Sequence, residues 1–206
     1  KKLLFLLAIT FSTASYSQVA NPTVDFELCD DDYDGFIEFD LESRTAEVLG
    51  TQDPTQFSVT YHETYPDATA GTNALSSPHT NSTPGVQTIY VRITDLSTNI
   101  SDFNTFNIIV NPLPITNIVI DLEVCDDDTD GDDTNGFVQN FDLESQTAEV
   151  LGTQDPTQFN VSYHDSLADA EANTNTLISP YTNSTQTVQT IFVRITNTET
   201  GCFTTN

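Results

Sequence analysis

Two short runs of carboxylates carry the clearest chemistry in this chain. The first reads Cys29-Asp30-Asp31-Asp32-Tyr33-Asp34-Gly35 and the second Cys125-Asp126-Asp127-Asp128-Thr129-Asp130-Gly131. Both contain D-x-D-x-D-G. Calcium is a hard cation with many oxygen ligands, and alternate carboxylates on a tight loop can converge on it. The glycine permits the sharp turn that aims the next carbonyl inward. Without a cation, like charges about 4 Å apart repel by roughly 1 kcal/mol in bulk water. Asp30, Asp32, Asp34, Asp126, Asp128 and Asp130 are therefore the candidate ligands of a structural calcium ion. Counted from Asp30, position twelve is Leu41 and not a bidentate Glu, so an EF-hand is excluded. The distal ligand stays open between Asp40/Asp142 and Glu42/Glu144. A solvated acidic turn in an acidic protein is the competing reading.

The elements that would hold these loops come in duplicate. Residues 39–57 read FDLESRTAEVLGTQDPTQF and residues 141–159 read FDLESQTAEVLGTQDPTQF. The register holds at an offset of 102 from Phe39 to Ile100, while Cys29 matches Cys125 at an offset of 96. About six residues are therefore inserted near the acidic loop of the second copy. Each unit has the size of one β-sandwich. Candidate strands are Val24 to Leu28, Phe36 to Leu41, Phe57 to Tyr61, Val86 to Thr94 and Phe103 to Val110, with Ile118 to Val124 opening copy two. Glu42 to Leu49 reads as one or two helical turns ending at Gly50, and Asp67 to Ala70 as another short turn. The fold class is all-β: tandem immunoglobulin-like β-sandwich domains, the second truncated at its C-terminus. Boundaries fall at 1–17 for a signal peptide, 18–110 for repeat one, 111–116 for a proline-rich linker and 117–206 for an incomplete repeat two.

The 206 residues include 31 acidic side chains against 5 Lys+Arg, a formal charge of -26. Such a surface repels phosphate backbones and anionic headgroups, which argues against nucleic-acid and membrane-surface partners. Thirteen Phe, 7 Tyr and many β-branched residues argue against disorder. Lys1-Lys2, the apolar run from Leu3 to Phe11 and the small polar stretch after it read as a secretory signal, too short to span a bilayer. A secreted or cell-surface location follows, with no membrane insertion.

Three cysteines in an exported chain leave one over. The second copy offers Cys125 and Cys202, and copy one has Ile100 where Cys202 falls. The expected bridge is Cys125–Cys202, with Cys29 as a buried thiol; Cys29–Cys125 between domains is the alternative. His62 and His164 follow matching tyrosines and read as packing groups. Arg92 and Arg194, each within V-R-I-T, are expected to pair with carboxylates. No G-x-S-x-G, H-E-x-x-H or glycine-rich phosphate loop occurs, so the expectation is a protein that is not an enzyme.

The string C-D-x-D-x-D-G, then F-D-L, L-G-x-Q-D-P-x-x-F-x-V-x-Y and Q-T-I-Y/F-V-R-I-T, closing with G-C-F, resembles the tandem immunoglobulin-like repeats of large secreted Bacteroidetes surface proteins. Many of those end in a sorting domain of the gliding-motility, type IX secretion kind. The resemblance implies a non-enzymatic extracellular repeat module of an adhesin or structural spacer. Its partners would be other repeats of the same longer chain and a surface glycan or protein. A carbohydrate-binding module of a larger secreted enzyme is the alternative, with Tyr65, Tyr90 or Tyr181 as stacking candidates and the absence of Trp against it.

Overall fold

The computed structural model describes residues 19–206, so the signal segment expected at 1–17 lies outside them. The chain is all-β and sandwich-like, in two tandem copies. In copy one, β1 (Phe26–Cys29), β3 (Phe57–His62), β5 (Val86–Asp95) and β6 (Ser101–Asn111) form one sheet in the order β1-β6-β5-β3. The short strands β2 (Glu38–Phe39) and β4 (His79–Thr80) pair separately. In copy two, β7 (Phe159–His164), β8 (Phe192–Asn197) and β9 (Phe203–Thr205) form a three-stranded sheet. The β3–β5 and β7–β8 ladders share one register: Tyr61 faces Val91 as Tyr163 faces Val193.

Period-two patterning drives the sheets. Along β5, Ile89, Val91 and Ile93 are fully buried, while the residues between them reach solvent in part. They close a core with Phe39, Leu41, Val48 and Ile108. In copy two Val150, Leu151 and Ile195 form a cluster flanked by Val119, Phe159, Val161 and Val193.

The segment expected as the first strand of copy two is not a strand. Ile118 is 98% exposed and Ile120 76%. In copy one the equivalent β1 is held by the far end of β6, where the Asp30 N–H reaches the Asn111 carbonyl. Among the described residues no strand pairs with this segment of copy two.

Among the described residues four short α-helices punctuate the strands. Before α1 (Thr45–Leu49) and α3 (Thr147–Leu151) the chain makes a 3₁₀ turn. Gly50 and Gly152 end them at φ +57° and +59°, as expected of Gly50. A Cβ there would lie 2.8 Å from the Asn21 amide nitrogen and 2.6 Å from that of Asn117. These asparagines donate to the Val48 and Val150 carbonyls. α2 (Tyr65–Ala70) and α4 (Leu167–Ala172) are capped by Thr64 and Ser166, which accept from the N–H groups of Asp67 and Asp169.

By contacts the chain divides into two compact units whose limits cut across the repeats. One takes in residues up to Phe26 with Glu38–Asn81 and Gln87–Ile108; the other holds Glu27–Ile37, Ser82–Val86 and Ile109–Asn206. The acidic loop of copy one thus belongs to the same unit as all of copy two.

Candidate functional site: a cross-copy disulfide and its acidic loop

Cys29 is bonded to Cys202, across a sequence separation of 173 and with Cα atoms 5.5 Å apart. The expected Cys125–Cys202 bridge is therefore corrected: copy two does not close on itself, and Cys29 is not a free thiol. Cys125 is free and exposed. The physical reason is the missing first strand of copy two. Cys125 sits on a segment that no ladder holds, whereas Cys29 ends the paired strand β1. Copy one has Ile100 at the position that Cys202 holds in copy two. Cys202 receives Cys29 of copy one and does not pair within its own copy. In the chain-entropy treatment, a loop of this length contributes about 5 kcal/mol.

Around the bridge, the acidic loop of copy one is seated by contacts within the same unit. Tyr33, at φ +69°, places its hydroxyl 3.1 Å from the Pro114 carbonyl and 3.1 Å from the Thr204 hydroxyl. Thr204 in turn donates to Pro114 at 2.8 Å. Sequence reading gave this tyrosine no role; the cue was a bulky aromatic in a loop of otherwise small acidic residues.

The loop itself is a ladder of carboxylate-to-backbone bonds. Asp30 accepts from the N–H of Asp32 and of Gly35, Asp32 from that of Asp34, and Asp34 from that of Phe36. Asp30 is buried, and Asp30, Asp31 and Asp32 bring one oxygen each to within 4.8 Å of one another. Asp34 is not in that group. The N–H bond from Asp34 is the largest influence on Asp32 and lowers its pKa. Desolvation and the charges of Asp34 and Asp31 outweigh it, so the carboxyl titrates above its ordinary value.

Copy two closes its loop differently. Gly136, not Gly131, donates to Asp126, and Asn135 takes the place of Asp34 by accepting from the Phe137 N–H. The inserted residues lie between, with Asp127, Asp130 and Asp132 each tying a backbone N–H two residues on. Among the described residues, Asp126, Asp128 and Asp130 do not gather as Asp30 to Asp32 do. The distal candidates Asp40 and Asp142 accept from Ser77 and Ser179.

The remaining candidates are structural. His62 donates from Nδ1 to the Thr72 carbonyl at 2.8 Å and takes the Thr60 hydroxyl on Nε2 at 2.9 Å; His164 repeats this with Thr174 and Ser162. Among the described residues Arg92 and Arg194 bind no carboxylate, contrary to expectation. Arg92 donates to the Ala68 and Thr69 carbonyls and Arg194 to those of Ala170 and Glu171, in the last turns of α2 and α4. A further pair had gone unread. Gln52 and Gln154 clamp the backbone of Val19 and Ile115 through both amide atoms.

These features define a class: tandem all-β repeats in which a cysteine closing the first strand of one copy is joined to a cysteine of the next. The chain belongs to the Flavobacterium inter-domain disulphide bond domain family, matched twice, over residues 25–114 and 121–206. No curated protein and no solved structure matches it. No helix among the described residues is long and apolar enough to cross a membrane.

Proposed function

We propose that the chain is a non-enzymatic, extracellular repeat module of a cell-surface adhesin or structural spacer, its copies joined covalently and stiffened by calcium. The observation that carries this reading is the Cys29–Cys202 bond between sequence copies. Disulfides persist in oxidising compartments outside the cell. A bond from the first strand of one copy to the last strands of the next removes most of the chain from the path of a pulling force. Residues between the two cysteines, about 600 Å of extended chain at 3.3–3.6 Å per residue, cannot be drawn out while it is intact.

Calcium enters the reading through Asp30, Asp31 and Asp32, whose charges repel unless a cation neutralises them. The bound ion would hold the loop that carries Cys29 and Tyr33. Export by a type IX route belongs to the same proposal.

Pulling single molecules from their two ends tests it. The oxidised chain is expected to lengthen only by the residues outside the bridge, and the reduced chain by about 600 Å more. Equal extension in both states would contradict the spacer reading.

A further inference from the structure

A second feature recurs at the same positions of both copies and plays no part in the disulfide. Beside β3 lies a cleft of about 560 Å³ and beside β7 one of about 460 Å³. Both are lined by the same positions, among them Glu42/Glu144, Val59/Val161, Tyr61/Tyr163 and Leu75/Leu177. Each volume lies within the range of binding sites.

β3 and β7 are edge strands. The ladder fixes which of their backbone groups point away from the sheet. The Leu96 N–H reaches the Gln56 carbonyl and the Thr198 N–H reaches that of Gln158. Gln56 and Gln158 therefore face their partner strands, and by alternation Val59, Tyr61, Val161 and Tyr163 face outward. Leu75 and Leu177 donate to the outward carbonyls of Tyr61 and Tyr163, both at 2.8 Å, and then leave the edge. Among the described residues nothing takes the outward N–H and C=O of Val59 or Val161. A notch one residue-pair long is left at the same place in both copies.

The side-chain groups around the notch are already engaged. Tyr61 and Thr45 bond each other at 2.9 Å, Tyr163 and Thr147 at 3.0 Å, and Ser77 and Ser179 donate to Asp40 and Asp142. What remains open is a main-chain donor and acceptor on one residue, the pair that the backbone of an added strand engages. Glu42 and Glu144 line the clefts with negative charge. With 31 acidic residues against 5 basic ones, a second copy of this chain is a poor occupant.

We infer that the β3 and β7 edges are two equivalent docking sites for a short, extended, basic peptide segment of a partner protein, which adds a strand at Val59 and at Val161. The second site is the more acidic, because Gln146 stands where copy one has Arg44, whose guanidinium is paired with Glu47 at 2.9 Å.

The test titrates the full oxidised chain with a fluorescent heptapeptide, Thr-Lys-Val-Arg-Val-Lys-Thr. Its comparators are an all-Glu counterpart and two versions N-methylated on alternate residues. Saturable binding at two sites is expected, tighter at the second and weakened by salt. One N-methylated version is expected to lose tenfold or more in affinity and the other little, as strand pairing requires, and the acidic peptide should not bind. A Val59→Pro/Val161→Pro chain, which removes only outward N–H groups, should lose binding at both sites. If that variant does not fold, the N-methylated peptides still decide. Absence of saturable binding, or binding indifferent to N-methylation, would overturn the inference.

Discussion

Arg194 sits over Phe203, its guanidinium carbon 3.4 Å from the ring centroid, while the same side chain donates to the Ala170 and Glu171 carbonyls of α4. Arg92 holds α2 in the same way but sits farther, 5.9 Å, from Phe103. Each arginine thus fastens a six-residue helix, too short to be stable alone, onto an inner strand of its sheet.

Replacing Arg194 with Ala should destabilise the chain by about 3 kcal/mol, because buried carbonyls lose charged donors and the ring loses its cover. Arg92→Ala should cost less. Thermal melts of both variants check the order, and a larger loss at Arg92 would contradict it.

Much of the fold was legible in the sequence, because repeat and alternation are local signals. The offset of 102 located both copies, and the pattern of residues 86–94 located β5. Gly50 as a helix stop was legible for the same reason. The disulfide was not. Cys125 and Cys202 share a copy, and nothing local says that the first strand of copy two lacks its ladder while Cys29 has one. The arginines were misread because backbone carbonyls, which leave no mark in a sequence, outcompeted the carboxylates. The acidic loop of copy two misled through its D-x-D-x-D-G string, since the structure closes on Gly136.

In chelator, Asp32→Asn should leave the melting temperature unchanged or raise it, since Asp32 ionises against the charges of its neighbours. In calcium, the same change and the triple change Asp30/Asp32/Asp34→Asn should remove whatever the ion adds. Calorimetry with and without calcium reads both. A calcium-independent melt of the unaltered chain would remove the ion from the mechanism.

Acid should loosen the helix caps. The Thr64 hydroxyl, then Asn73, hold the pKa of Asp67 below its ordinary value, and Ser166 and Asn175 do the same for Asp169. A depressed folded-state value stabilises fully above the unfolded pKa, and the benefit disappears as pH falls through the folded one. Melting temperature should therefore drop below about pH 4, and the Asp67→Asn/Asp169→Asn chain should show a shallower drop. An identical acid limb in both chains would contradict this.

The Gln52 and Gln154 clamps are expected to matter for order more than for folding. Gln52→Ala and Gln154→Ala should raise hydrogen exchange at Val19 and Ile115, whose N–H groups they accept, and leave β3 and β7 protected. Loss of protection throughout the strands would give the clamps a larger role.

The most direct measurement is peptide mapping of the non-reduced chain after alkylation of free thiols. The account predicts one cross-linked product containing Cys29 and Cys202, with Cys125 carrying the alkyl label. A cross-link between Cys125 and Cys202, with the label on Cys29, would contradict the covalent joining of the two copies.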